Sequence, residues 1–269
     1  MATRVGVLRD GSSDILANLP QKYSGHDILL TEKGEWIFDD RFSYPEKIFR
    51  QIDVVFNTLH GCQKILEHFN VPYTGSGFFA SSLGMNKILS RDIFAKAGLN
   101  VPRGMVIDKE DAAAGRKIFN LMSPPWLIGN FIIYKFDDLM KVLEFQEEPR
   151  IFVEEYIRGK DAVCGVIENF RGQEHYSLPV TEIISSRQIC PARFDRETKD
   201  KIEEMAKIAH QILGCRHYSR QDFRISERAG ERGKIYILEA NALMPKNTEA
   251  IGLSYPQFLD HLINLALKC

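Results

Sequence analysis

Residues 218–226 read YSRQDFRIS, and residues 234–241 read KIYILEAN. Both stretches have the composition of β-strands, and the short connection over 227–233 predicts that they pair as antiparallel neighbours. Side chains two positions apart on a strand point to the same face. Arg220 is therefore expected beside Asp222, and Glu239 beside Asn241. This pair of strands predicts one sheet face that presents two carboxylates, one amide oxygen and one guanidinium.

Oxygen ligands of this kind suit Mg²⁺, which uses one or two carboxylates and shares the phosphates of its substrate. Arg220 would then stabilise negative charge that develops nearby. Spacing alone also fits a solvated strand face with incidental salt bridges, since polar outer faces are common on antiparallel sheets. The apolar run 236–238 leads directly into Glu239. It favours the metal site, because a carboxylate near a buried strand end needs a partner or a metal.

Composition indicates an ordinary globular protein. The 269 residues are 44% hydrophobic and 26% charged, with 35 Lys+Arg against 36 Asp+Glu and a net charge of −1. Disorder, collagen and coiled coil are excluded, and so is a broad basic face for nucleic acid. The five cysteines form no C-x-x-C pair, which is typical of free thiols in a reducing compartment. No signal peptide or membrane-spanning run is apparent, so we expect a soluble, cytoplasmic protein.

Hydrophobic periodicity predicts the organisation of the chain. Apolar runs at 5–8 and 52–56 each lead into a polar turn, which predicts an α/β unit in the opening third with ligands at its strand ends. Helices are expected at 85–97, 109–122 and 137–145, from Asp195 to Gly214, and after Ser254. The stretch between 150 and 184 is expected to be rich in β-structure.

Three further segments are candidates for ligand binding. The sequence 73–77 before Lys87 is either an anion-binding nest or a simple turn. The strand 153–157 would offer its backbone to an adenine ring and Asp161 would accept from ribose, although a charged edge strand explains these residues equally well. His60 ends a buried strand where α/β folds bind ligands, yet a lone histidine is more often structural. Ser219 has no evident His or Asp partner, which gives little support to a hydrolase triad.

Taken in order, these segments resemble the D-alanine–D-alanine ligases of the ATP-grasp superfamily, and the match runs through essentially the whole chain. Each motif is weak by itself, but six in the family order at similar separations are specific. The segments that carry the resemblance are 58–61 (TLHG), 72–77 (PYTGSG), 84–87 (GMNK), 153–157 (VEEYI), 220–222 (RQD) and 238–241 (LEAN).

The resemblance implies an ATP-grasp fold of mixed α/β and α+β character with an N-terminal parallel sheet. Its expected domains are an N-terminal α/β substrate-side domain over 1–77, a central small domain over 78–157, and a C-terminal domain with the metal site over 158–269. It also implies the joining of two D-alanines through an acyl phosphate, for a peptidoglycan precursor. ATP and Mg²⁺ (or Mn²⁺) are the implied cofactors, and a homodimer without nucleic-acid or membrane partners is the implied assembly.

The family's site residues carry over position by position. Arg220 would stabilise the tetrahedral intermediate and His60 would lie beside the first D-alanine. Asp222, Glu239 and Asn241 would hold the metal. The nucleotide would be bound by Lys87 at its phosphates, by Glu154, Glu155 and Ile157 at the adenine, and by Asp161 at the ribose.

The chain departs from the family in five loops that work on substrates, which are short after Ser13, His60-Gly61 and Ile128, between Ile184 and Ile189, and at 242–246. Either the protein keeps the framework without its catalytic loops, or these 269 residues leave out loops of a longer chain. Retention of Asp222 and its three neighbours in the site favours the second explanation. The alternative functions are a catalytically degenerate nucleotide-binding protein, and a ligase that joins D-alanine to D-lactate or D-serine.

Overall fold

The computed structural model describes residues 2–11, 13–111, 113–185, 187–241 and 247–268. In these ranges the α-helices are α1 (Ile15–Asn18), α2 (Pro45–Phe49), α3 (Gln63–His68), α4 (Phe78–Met85), α5 (Lys87–Lys96), α6 (Ala114–Leu121), α7 (Phe136–Phe145), α8 (Arg196–Ile212) and α9 (Tyr255–Ala266). A 3₁₀ helix covers Thr248–Ile251. The described helices include none that is long and apolar enough to cross a bilayer.

The first sheet has the order β4-β3-β2-β1-β5, in which β1 pairs in parallel with both β2 and β5. The parallel pairing expected in the N-terminal sheet is therefore confirmed around β1, whereas β2–β3 and β3–β4 pair in the antiparallel sense and make the sheet mixed. Its central strands are buried on both sides, and α9 covers one side with Phe258, Leu262 and Ile263. The strands of this sheet are β1 (Thr3–Arg9), β2 (Tyr23–Leu30), β3 (Trp36–Phe38), β4 (Arg41–Phe42) and β5 (Val54–Asn57).

The second sheet is antiparallel, with the order β6-β9-β7-β8. The helices α6 and α7 cover it with Ile118 and Leu139, which pack around the fully buried Trp126. Its strands are β6 (Gly104–Asp108), β7 (Trp126–Ile128), β8 (Phe131–Ile133) and β9 (Arg150–Glu155).

The third sheet has the order β13-β12-β10-β14-β15, and β11 pairs with β10 beside this path. Helix α8 packs on one face through Ile202, Ala206 and Ala209, which leaves the other face free to form a site. The strands are β10 (Gly159–Phe170), β11 (Gln173–Ser177), β12 (Thr181–Ile184), β13 (Arg187–Ile189), β14 (Tyr218–Ser226) and β15 (Ile235–Asn241). The expected domain boundaries at 77 and 157 fall between the three sheets, but α9 returns to the first.

Two helices differ from the sequence prediction. The helix expected over 85–97 corresponds to α5, which begins at Lys87 because the side chain of Asn86 accepts the backbone N–H groups of Ile88 and Leu89. The helix α4, which precedes it and ends at Met85, was not predicted. The helix expected from residue 109 begins only at Ala114. The side chain of Asp111 accepts the N–H of Ala113, which holds the chain in a turn before α6.

Candidate active site

The facing strands β14 and β15 form the site predicted from their sequence. Their antiparallel register places Asp222 opposite Glu239 and Arg220 opposite Asn241. Alternate residues of β14, such as Gln221, are fully buried on the α8 side, which turns the four polar side chains to the other face. A bulge between Asp222 and Phe223 interrupts the register next to the site, as is frequent beside active sites. The predicted juxtaposition is thus a feature of the fold.

This face opens into a cavity of about 390 Å³. Two ion pairs are organised within it. The guanidinium of Arg220 donates through Nε and Nη2 to both oxygens of Asp222, at 3.0 and 3.1 Å. The guanidinium of Arg224 donates through Nε to Asp161 Oδ1 at 2.5 Å. The cavity is lined by Asp161, Ala162, Val163, Ile183, Gln188, Arg220, Asp222, Phe223, Arg224, Leu238 and Glu239.

The donor set on these strands fits Mg²⁺. Asp222 and Glu239 offer carboxylate oxygens from directly opposed positions, and Asn241 offers an amide oxygen two residues further along. The carboxylate of Asp222 is about one-fifth exposed and is held by Arg220. A cation at Asp222 therefore has to share this carboxylate with the arginine, which keeps a positive charge next to the metal position.

The segment expected to hold adenine is fixed by three arginines. Glu154 is buried and pairs with Lys87 Nζ at 2.5 Å and with Arg91. Arg228 pairs with Glu155 and also donates to the backbone carbonyl of Tyr156. The buried Ile157 accepts from Arg224 Nη1 through its carbonyl at 2.9 Å. These contacts hold 154–157 rigidly beside the site.

A second cavity, of about 640 Å³, adjoins the break between α4 and α5. Lys87, Glu154 and Gly129 lie on its wall. Arg91 links this cavity to the cavity that contains Asp222, because its Nε donates to the carbonyl of Leu238 at 3.4 Å. Leu238 lines the cavity of Asp222. The structure thus brings nine of the ten predicted site residues into two adjoining groups.

His60 is the exception. It is exposed and follows β5, before α3 begins. Among the described residues, no hydrogen bond or ion pair joins His60 to either cavity. Its expected position beside D-alanine stays a prediction.

Sequence reasoning missed Arg91, Arg224 and Arg228. A signal for Arg91 was present, because it lies four residues after Lys87 and so occupies the same face of α5. The signal for Arg224 was its position two residues after Asp222, on the same face of β14. The sequence contained no signal for Arg228, because its partner Glu155 lies on β9 of the second sheet, 73 positions earlier in the chain.

Ser219 was expected to lack a histidine partner, and this expectation was wrong. Its Oγ lies 2.6 Å from Nδ1 of His210, whose Nε2 in turn faces Glu168 at 3.4 Å. Ser219 and His210 are both fully buried, on the α8 side of the sheet. Because the hydroxyl of Ser219 is buried away from solvent, this contact gives no support to a hydrolase triad.

Three of the five shortened loops form short, regular connections between neighbouring elements. Gly129 and Asn130 form a two-residue turn between Ile128 and Phe131, with Gly129 at a φ of +56°, and α3 starts three residues after His60. Strands β12 and β13 form a hairpin in which Ile184 pairs with Arg187. The shortened segment 242–246 lies outside the described residues.

The family model described as D-ala D-ala ligase C-terminus matches residues 128–264. A D-alanine–D-alanine ligase of Syntrophobacter fumaroxidans is 33% identical over 261 residues, covering 81% of each chain. The chain belongs to the D-alanine–D-alanine ligase family. Another relative of that name, from Pelotomaculum thermopropionicum, is 29% identical and covers 100% of this chain and 98% of its own. That alignment is 318 positions long, 49 more than the 269 residues here, so at least 49 of its positions have no residue in this chain.

Solved structures match the whole fold. The Bacillus anthracis D-alanine–D-alanine ligase complexed with ATP has a TM-score of 0.79 and 24% identity, with coverage of 99% of this chain and 98% of that one. The VanG D-Ala:D-Ser ligase of Enterococcus faecalis has a TM-score of 0.80 and 23% identity, with coverage of 99% and 100%. At these identities the likeness establishes the ATP-grasp fold and leaves the second substrate open.

Proposed function

We propose that this chain is an ATP-dependent ligase that joins two D-alanine molecules and so supplies a peptidoglycan precursor. The observation that carries the proposal is the opposed pair Asp222 and Glu239, which share one cavity with Arg220 and Asp161. Two acids and a guanidinium around one cavity are what phosphoryl transfer requires of a protein, since its catalysis is mostly positioning and charge neutralisation.

The reaction balances in two steps. A carboxylate oxygen of one D-alanine attacks the γ-phosphorus of ATP, and the bond from that phosphorus to ADP breaks. The amine of the second D-alanine then attacks the acyl carbon, loses a proton, and displaces inorganic phosphate. Both steps gather negative charge on oxygen, so both benefit from fixed positive groups.

Asp222, Glu239 and Asn241 would hold Mg²⁺, or Mn²⁺ in its place. When bound, the metal neutralises the charge of the phosphates. Arg220 is already held in the cavity by its two bonds to Asp222, so its guanidinium is available without further ordering. It stabilises the oxyanion that forms when the amine attacks the acyl carbon.

The nucleotide would lie between the two cavities. Glu154, Glu155 and Ile157 line its adenine, and Asp161, oriented by Arg224, accepts from the ribose hydroxyls. Lys87 is about two-fifths exposed in its pair with Glu154. It can exchange this partner for a phosphate, because Arg91 continues to neutralise Glu154. His60 would contact the first D-alanine.

The test is ADP release from ATP with D-alanine and Mg²⁺, with the dipeptide identified by mass spectrometry. Asp222→Asn should abolish turnover, and the matched control Asp200→Asn, on the exposed face of α8, should leave it unchanged. Equal turnover in the two variants would reject the metal assignment. D-lactate and D-serine, offered as the second substrate, distinguish the related ligases.

The degenerate nucleotide-binding protein remains the second candidate, because five substrate loops are short. Nucleotide binding without ADP release, in a protein whose intact mass is 30.8 kDa, would favour it. A mass several kilodaltons higher would show that further loops belong to the chain. We also propose the domain division at 77 and 157, a cytoplasmic location and a homodimer, on the strength of the family resemblance; sedimentation tests the last.

A further inference from the structure

Four of the seven histidines of the chain lie around Glu168, and none of them is among the residues assigned to the reaction. The backbone N–H of His217 donates to Glu168 Oε2 at 2.5 Å, and His261 Nε2 donates to its backbone carbonyl at 2.8 Å. His210 Nε2 faces Glu168 Oε1, and the rings of His175 and His210 meet edge to face at 5.2 Å. This is an unusual concentration of imidazole groups.

The fold explains why three of these side chains converge. Glu168 and His175 are directly opposed residues of the antiparallel pair β10 and β11, so their side chains share one face. That face is the one covered by α8, and His210 lies in the last turn of this helix. One ligating atom from each of the three residues lies within 4.8 Å of those of the other two.

The separation of Glu168 and His210 fits two ligands of one metal ion better than a hydrogen bond. The Nε2 to Oε1 distance is 3.4 Å, whereas a charge-assisted bond of this type measures about 2.7–2.9 Å. Two ligands about 2.0–2.1 Å from a tetrahedral Zn²⁺ stand roughly 3.4 Å apart. The observed distance therefore leaves room for an ion between them.

A hydrogen bond at Nδ1, the ring nitrogen that points away from Glu168, fixes the orientation of His210. Its Nδ1 lies 2.6 Å from the hydroxyl of Ser219, which itself accepts from Gln221 Nε2 at 2.6 Å. Metal-binding histidines are regularly anchored in this way through the ring nitrogen that does not touch the ion. With Nδ1 bonded to Ser219, Nε2 is the atom directed at Glu168.

The carboxylate of Glu168 is also held in place. Its Oε2 accepts the backbone N–H of His217 at 2.5 Å, while Oε1 lies towards Nε2 of His210. An open cavity of about 540 Å³ beside the β10–β11 turn reaches Glu168.

We propose that Glu168, His175 and His210 form a binding site for a divalent transition-metal ion, of which Zn²⁺ is the reference case. Two imidazoles and one carboxylate suit Zn²⁺, whereas the all-oxygen set at Asp222 suits Mg²⁺. The two sites lie on opposite faces of the third sheet, since Ser219 and Arg220 are consecutive on β14. The ion would tie the β10–β11 hairpin to the end of α8.

The experiment titrates chelator-stripped protein with Zn²⁺, and then with Co²⁺ for its absorption spectrum, without nucleotide. We expect one Zn²⁺ per chain, Co²⁺ bands of tetrahedral intensity, and a Zn²⁺-dependent rise in melting temperature. His175→Gln, at a half-buried position on the hairpin, should weaken binding at least tenfold. The matched control His68→Gln, at the exposed end of α3, should bind as the parent does.

Asp222→Asn should also bind Zn²⁺ as the parent does, which separates this site from the proposed magnesium site. Absence of stoichiometric binding, equal affinity in His175→Gln and His68→Gln, or loss of binding in Asp222→Asn would each overturn the proposal. If His175→Gln does not fold, Glu168→Gln makes the same comparison, because the amide keeps the shape of the side chain and removes its charge.

Discussion

Replacement of Arg91 by methionine tests how the two cavities are joined. The side chain of Arg91 is 6% exposed and pairs with Glu154, which is 4% exposed. It also donates to the carbonyl of Leu238 and stacks on the ring of Phe152. Methionine retains much of the apolar stem but leaves the carboxylate of Glu154 with Lys87 as its remaining cationic partner.

The expected cost follows from this burial. Removal of one partner from a buried ion pair destabilises a protein by about 3–5 kcal/mol, because a buried charge is left uncompensated. Lys87 remains 2.5 Å from Glu154, so we expect a value near the lower end, ~3 kcal/mol. For a chain of this length that corresponds to a fall in melting temperature of roughly 6 °C or more.

The assay is urea unfolding and thermal melting of Arg91→Met, Glu154→Gln and the double variant. The double variant should recover about 1–3 kcal/mol relative to the sum of the single effects, because the orphaned charge is gone. Lys96→Met, on the same helix in an exposed i,i+4 pair with Asp92, is the matched control and should change nothing measurable. An Arg91→Met variant as stable as Lys96→Met would refute the reasoning.

Two further predictions concern stability. Burial, reinforced by Arg216, lowers the pKa of His217 from 6.5 to about 4. Between these pH values the unfolded chain binds more protons than the folded protein, so the free energy of unfolding falls by up to about 3 kcal/mol as the pH drops from 6.5 to 4. The variant His217→Asn should flatten this dependence when unfolding is measured over the same pH range. Gly159→Ala should lower the melting temperature by several degrees, because a Cβ there overlaps the backbone carbonyl of Ile225, whereas Gly11→Ala meets no atom within 4 Å. Equal melting of the two glycine variants would contradict this packing.

Local signals in the sequence were sufficient to predict several of the helix starts and the pairing of the two strands that carry the site. Asp195 accepts the N–H of Thr198 at the start of α8, and Ser254 forms a capping box with Gln257 before α9, both at the predicted helix starts. The pairing of β14 with β15 was predicted from their strand-like composition and the short connection between them. This pairing brings four of the site residues together.

Other features depended on contacts that no local pattern encodes. The apolar face of α9 was visible, but the surface that it covers, the first sheet, is more than 190 residues away in the chain. The pairing of Arg91 with Glu154 and of Arg228 with Glu155 depends on tertiary packing, because each pair joins residues more than 60 positions apart in the chain. The contact between Ser219 and His210 was missed for the same reason, because α8 and β14 had to be packed together before the pair existed.

The central claim is that the protein that keeps Arg220, Asp222 and Glu239 together on one sheet face catalyses ligation. The most direct test incubates the protein, after its intact mass is recorded, with ATP, Mg²⁺ and D-alanine, and quantifies ADP, phosphate and dipeptide together. The account predicts equal amounts of the three products from the parent protein and none from Asp222→Asn. Nucleotide that binds while no ADP or dipeptide forms at saturating D-alanine would contradict it.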